Sequence, residues 1–268
     1  MKKASFYVIL GILIYISLAT TAAGKCKPPK GLDVVFVIDN SKSIPPKDFE
    51  EVKKFAVGMI DEMVKAKTDL KIGLIEFSGK AVPSLWLSDE LNKERKTSAI
   101  RKKFLSIKQP DDNFNTNTHL ALFIARTQML NVKYEEGARC NCAKILILIT
   151  DGAPSWPTFA YTEALAVMKQ GIHLFVVGTG AEANFPSGNS GSKKLLSQYF
   201  TGGDESKVFR ADEYKKLPGI TSQVVEATCK VVRSLEKKVA GKINTLQTGE
   251  YEKLHKEEEE RAKTPKKN

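Results

Sequence analysis

Asp39 closes a run of apolar residues, Val34 to Ile38, and opens the loop Asp39-Asn40-Ser41-Lys42-Ser43. A second apolar run, Lys144–Ile149, ends in Thr150-Asp151-Gly152-Ala153-Pro154-Ser155. Between the two, Asn115-Thr116-Asn117-Thr118 leads into a helical pattern and offers hydroxyls from a third loop. The spacing of 39, 41 and 43 sets three oxygen-bearing side chains on one side of an extended loop. Two carboxylates with two or three hydroxyls form an all-oxygen donor set. Such a set suits Mg2+, Mn2+ or Ca2+ rather than zinc or copper. Two negative charges do not overbalance a divalent ion, and neutral hydroxyls leave it electrophilic. A carboxylate from another protein is then a natural last ligand. The competing reading makes Asp39 a helix cap and the serines turn formers, because Pro45 and Pro46 mark a helix start.

The elements around these loops alternate. Asp33–Ile38, Lys144–Ile149 and Ile172–Val177 are continuously apolar, the pattern of parallel strands buried on both faces. Leu70–Phe77 and Ala81–Leu87 read as a hairpin about Ser78-Gly79-Lys80. Helical spacing predicts a helix from Pro45 with Phe49, Val52, Phe55, Ala56, Met59, Ile60 and Met63 inward, a second from a Ser88 cap to about Ile107, and a third over Thr118–Leu130 with Leu120, Phe123, Ile124 and Thr127 as its stripe. Thr158–Lys169, Ser192–Tyr199 and Asp212 to about Leu235 follow as helices, and Val208-Phe209 as a short edge strand. The expected fold is α/β: a doubly wound, mostly parallel sheet flanked by helices in a single domain, followed by a charged C-terminal tail. In such sheets ligands bind beyond the carboxyl ends of the strands, where Asp39 and Asp151 both fall.

Asp39-x-Ser41-x-Ser43, the Thr116 loop running into Leu120-Ala121-Leu122, Thr150-Asp151-Gly152 and Gly171-Ile172 to Gly178-Thr179-Gly180 together make the chain resemble the von Willebrand factor A family over about Leu32 to Arg233. That resemblance implies a Rossmann-like domain whose metal ion is touched directly by Ser41, Ser43 and Thr116, with Asp39 and Asp151 holding it partly through water. Thr118 replaces Thr116 if the third loop is shifted by two. Two departures stand out. Phe114 and Asn115 occupy the place where the family commonly has glycine before the threonine, and Lys42 replaces a small residue in the first loop. A single A domain with flanking cysteines and a lysine-rich tail is also similar to the soluble A-domain adhesins of apicomplexan parasites.

The chain has 268 residues, 42% hydrophobic and 27% charged, with a net charge of +11. This surplus of lysine favours acidic partners, sulfated glycosaminoglycan among them, although it also serves simply to keep a surface soluble. No nucleic-acid partner is expected. Met1–Ala23 reads as a secretory signal peptide: Lys2 and Lys3 precede the apolar run Phe6–Leu18, which is short for a membrane span, and small residues follow at Ala22-Ala23-Gly24. The expectation is a secreted, extracellular protein without a transmembrane anchor, for which an oligomer is possible. Cys26 and Cys229 bracket the domain, and a bridge between them would add about 5 kcal/mol in the loop-entropy picture. Cys140 and Cys142, separated only by Asn141, leave the pairing open, since four cysteines allow three connectivities. From about residue 236 to 268, lysines and the Glu257–Glu260 run dominate.

Other candidates carry less chemistry. Gly178-Thr179-Gly180 lacks the third glycine of a dinucleotide loop. His119 lies near the metal loop, His173 in a buried strand and His255 in the tail. Trp86 reads as core, whereas Trp156 and Phe159, which follow the Asp151 loop, read either as core or as a contact surface on the face of the metal ligands. The sequence therefore points to a non-catalytic adhesion or matrix-binding module with a divalent cation and an extracellular protein ligand bearing an exposed Asp or Glu. The alternative is a metal-independent binder of sulfated glycosaminoglycan through a basic surface. A metal-dependent phosphohydrolase is a third reading, disfavoured because no nucleophile or general base stands near Asp39.

Overall fold

The computed structural model describes residues 31–65, 69–110, 115–139, 142–152, 154–180 and 196–234. The signal segment, Cys26, Cys140, His255 and the tail over 236–268 lie outside the described residues.

Six strands form one sheet: β1 (Leu32–Asp39), β2 (Leu70–Phe77), β3 (Ala81–Leu85), β4 (Ala143–Thr150), β5 (His173–Thr179) and β6 (Val208–Ala211). The order is β3-β2-β1-β4-β5-β6, and every pairing is parallel except that of the hairpin strands β2 and β3. Continuous apolarity has the expected consequence: every residue of β1 is buried, and its side chains alternate between two cores. Val34, Phe36 and Ile38 face α1 (Pro46–Lys65), α3 (Thr97–Leu105) and the helix α7 over 217–234. Val35 and Val37 face α4 (Thr118–Ile124), α5 (Pro157–Lys169) and α6 (Leu196–Phe200). The expected inward stripe of α1 is buried in full.

Three expectations need correction. The helix from Ser88 to Ile107 is two helices, α2 (Glu90–Lys93) and α3, with Asp89 rather than Ser88 capping the first. Arg95 between them has φ 54°, a left-handed conformation that no helix continues through. The break follows from Asn92. Its buried amide accepts from Ile72 N at 2.9 Å and donates to Ile72 O at 2.8 Å, replacing a strand on the β2 edge that β3 does not reach. On α4 the buried face is Ala121, Leu122, Ala125 and Met129, while Leu120 and Phe123 are exposed. The inward stripe is therefore rotated from the expected one, and the segment finishes in a π turn, Ala125–Met129. The last helix begins only at 217, after a single 3-10 turn at Tyr214–Lys216.

Two buried charges tie loops to this frame. Lys53, 5% exposed, donates to the carbonyls of Leu105 (3.0 Å) and Ile107 (3.3 Å), satisfying the C-terminal end of α3. At the amino end of the sheet, fully buried Asp33 accepts from Arg139 through Nε (2.9 Å), Nη2 (2.7 Å) and the backbone N (2.7 Å), and Arg139 also pairs with Asp69. Removing one partner of a buried pair leaves the other charge unscreened. Arg139→Ala is therefore expected to lower unfolding stability by about 3–5 kcal/mol, read from denaturant midpoints at unchanged slope.

Candidate metal centre

The chain leaves β1 toward β2 on one side and later returns to β4 on the other, so β1 and β4 flank the switch point of the sheet. Parallel strands in register bring their carboxyl ends level, Ile38 standing opposite Ile149. Asp39 and the Thr150-Asp151 pair consequently meet beyond the strand ends. The carboxylate of Asp39 is wholly buried: Oδ1 accepts from Ser41 N at 3.0 Å and Oδ2 from Thr150 Oγ1 at 2.8 Å. Ser41 Oγ and Ser43 Oγ are 2.8 Å apart, and Ser43 Oγ donates to Asp151 Oδ1 at 3.1 Å. A continuous chain of oxygens thus runs from the first loop to the fourth strand's end. Ser43 is the exposed member, while Ser41 is buried beneath it.

The Thr116 loop is tied by its backbone to the segment that follows Asp151. Thr116 N donates to Ser155 Oγ and Ser155 N donates to the Thr116 carbonyl, both at 2.9 Å. Thr118 is fully buried at the first turn of α4, its hydroxyl 3.5 Å from the Thr116 carbonyl. The third loop is further fixed by Asn117, which donates to the carbonyls of Ser78 and Gly79. On the other side, Gln109 Nε2 donates to the carbonyls of Ser41 and Ile44, each at 2.8 Å, and holds the first loop in shape.

Electrostatics favour a cation here. Burial first, and then the charge of Asp151, pushes the Asp39 carboxyl up from 3.8 to about 7, despite the opposing hydrogen bonds from Ser41 and Thr150. Burial and the same Asp151 charge raise the Tyr214 phenol, which bonds to Thr179. The donor spacing fits an octahedral ion: metal–oxygen bonds of about 2.1 Å place adjacent ligands about 3 Å apart. The 2.8 Å between Ser41 Oγ and Ser43 Oγ matches that spacing. Among the described residues no group of three or more His, Cys, Asp or Glu is placed to hold a metal, so a cation here would have to be held largely by hydroxyls.

The unpartnered buried atoms of this face were not evident from the residues alone. Among the described residues three buried polar side-chain atoms have no hydrogen-bond partner, Asn40 Oδ1, Asn117 Oδ1 and His119 Nδ1, and all three border these loops. Only the position of Asn40 and Asn117 inside the loops hinted at them. His119, whose imidazole is lowered from its ordinary 6.5 by burial, lies against Phe159 at 5.7 Å. Trp156 and Phe159 are 56% and 59% exposed and 6.3 Å apart, directly after Ser155. Trp86, by contrast, stacks on Tyr134 and packs at the edge of the core. His173 is half-buried at the start of β5.

Residues 33–223 match the von Willebrand factor type A domain. Mouse matrilin-1 is 27% identical over 219 residues, 81% of this chain and 40% of that protein. Mouse integrin alpha-M is 28% identical over 200 residues, 74% of this chain and 16% of that protein. The chain spans less than half the length of such relatives. Among solved structures, proximal thread matrix protein 1 of the mussel byssus superposes with a TM-score of 0.61 at 20% identity, covering 76% of this chain and 49% of that one. A second structure of that mussel protein, with a zinc-occupied MIDAS motif, gives 0.60 at 17% identity, covering 76% and 49%. The family match over most of the chain and the parallel sheet agree: the chain belongs to the von Willebrand factor type A domain family.

Proposed function

We propose that this chain is a non-catalytic, secreted adhesion module in which Asp39, Ser41, Ser43, Thr116 and Asp151 hold a divalent cation for a carboxylate of an extracellular protein ligand. The observation that carries this reading is the oxygen chain from Asp39 through Ser41 and Ser43 to Asp151, set at the switch point of the sheet. When bound, the cation supplies an electrophilic coordination position for that carboxylate. The residues do the rest: Asp39 orients Ser41 through the backbone, Thr150 holds Asp39, and Ser155 holds the Thr116 loop. Magnesium is the first choice for an all-oxygen set, with manganese or calcium as substitutes. The zinc held by the mussel protein's motif makes zinc a necessary arm of any titration. The domain is taken as 32–233, with a signal at 1–23, a charged appendage at 236–268 and a Cys26–Cys229 bridge; Cys140 and Cys142 stay unassigned. Relatives named as matrilin, collagen and integrin chains support a matrix or cell-surface setting.

A second reading, metal-independent binding of sulfated glycosaminoglycan, is supported by the net charge of +11. It requires retention on heparin beyond physiological salt in the presence of chelator.

Three outcomes test the first reading. In a screen of immobilised matrix proteins, binding seen with magnesium should vanish in chelator and in Asp39→Ala and Asp151→Ala, with circular dichroism unchanged; binding that persists in chelator contradicts the metal's role. Next, a carboxyl bound more tightly to its proton when folded favours the fold below its unfolded pKa of about 3.8 and loses that advantage as pH rises to about 7. The metal-free protein should therefore lose stability over that window. The rise in melting temperature on adding magnesium should be larger at pH 8 than at pH 5, and absent in Asp39→Ala. Finally, Trp156→Ala should weaken ligand binding by about 2 kcal/mol while leaving the magnesium-induced shift intact, as expected of an exposed aromatic anchor beside the ion.

A further inference from the structure

α4 and α5 pack side by side on one face of the sheet, and what they turn to solvent is unlike the helix on the other face. Residues 115–132 and 154–168 carry two charged side chains between them, Arg126 and Glu163, and these pair with each other at 2.9 Å. On the opposite face, α1 carries nine charged side chains in its 20 residues. A helix at a protein–water boundary normally turns charged and polar residues outward, and one that is apolar on its outer side as well is normally covered. Here the outward positions of α4 hold Leu120 and Phe123, and the start of α5 holds Trp156 and Phe159.

These four side chains form one strip. Phe159 lies 6.3 Å from Trp156 and 5.7 Å from the ring of His119, and Phe123 stands one helical turn beyond His119. Arg126 lies over the Phe123 ring at 5.6 Å and closes the strip with Glu163. Leu120, Phe123, Trp156 and Phe159 are 37%, 46%, 56% and 59% exposed. At about 200 Å² for each large side chain, that leaves about 400 Å² of apolar surface. A standard interface buries about 800 Å² per partner, of which about 65%, or about 500 Å², is apolar in homodimers. The strip comes near that figure before the stems of Arg126 and Thr127 are added. Charge then decides between partners. In a two-fold contact each copy meets the same surface on the other, so a net charge there repels itself. The chain carries +11, yet the one base of this strip is neutralised by its one acid. A surface built to select a charged partner keeps a free charge of the opposite sign, and this one keeps none.

We propose that the α4–α5 face is the contact between two copies of this chain, with Leu120, Phe123 and Phe159 at its centre and the Arg126–Glu163 pair beside them. The contact does not use the cation. It has a consequence for the metal centre all the same. The strip begins at Trp156, directly after the Ser155 that holds the Thr116 loop, so the dimer carries two metal centres in one assembly. A ligand with repeated carboxylates then gains from effective concentration. That consequence rests on the metal-dependent reading above, whereas the contact itself does not.

The test is sedimentation velocity of the full chain over a concentration series, in chelator. A dimer with a dissociation constant of about 1 μM or tighter is expected. Phe123→Glu and Phe123→Arg should each weaken it at least tenfold, because a charge of either sign is desolvated in an apolar contact. Val64→Glu, which alters an exposed apolar residue of α1 on the other face, should change it less than twofold. Circular dichroism should show all three variants folded, since both positions are exposed. Hydrogen exchange gives a reading without mutation: amides of 118–127 and 157–163 should exchange more slowly above the dissociation constant than below it. A chain still monomeric at about 100 μM would overturn the contact. So would an assembly untouched by both Phe123 variants, including one held only by disulfides, or an equal loss in Val64→Glu. A monomer whose binding to a matrix protein falls tenfold in Phe123→Glu would also overturn it, and would give the strip to the ligand.

Discussion

Everything at the carboxyl end of the sheet is arranged around one buried charge. The Asp39 carboxylate has no access to water, and the nearest comparable group is another carboxylate, Asp151. A lone carboxylate in such a place is costly by several kcal/mol, and hydrogen bonds from Ser41 and Thr150 offset only part of that. The fold tolerates this because both acids sit on the ends of adjacent parallel strands, whose positions are set by two large cores rather than by the loops. Gln109, Asn117 and Ser155 then fix the loops themselves. A divalent cation is the partner that this geometry and charge call for, and the proposal of metal-dependent adhesion follows from it.

The two cores explain why the site is rigid enough for that role. Strands apolar on both faces commit the sheet to helices on each side, and the parallel register levels the strand ends to within a residue. Trp156 and Phe159 stand exposed directly after the Ser155 that holds the Thr116 loop.

Much of this was legible in the residues. Buried strands read as unbroken apolar runs, and the acids stood where those runs stop. The hairpin was marked by Ser78-Gly79-Lys80, although β3 ends at Leu85 rather than Leu87. What failed to show depended on contacts distant in sequence. The split between α2 and α3 arises because Asn92 bonds the β2 edge 20 residues away. The inward face of α4 mixes Ala121 and Ala125 with Leu122 and Met129, and a pattern weighted toward Leu120 and Phe123 picks the exposed side instead. Thr116 and Thr118 are two residues apart in the same short loop, and spacing alone does not tell which serves the site. The partnerless Asn40 oxygen depends on the Lys108 carbonyl, 68 residues along the chain.

The most direct measurement is anomalous diffraction from crystals grown with manganese. A peak within about 2.0–2.5 Å of both the Ser41 and Ser43 hydroxyls, lost in Asp151→Ala, is the predicted result. A well-ordered Asp39 and Asp151 with no peak between the first and fourth strand ends, or a peak elsewhere on the molecule, would contradict a cation at this site.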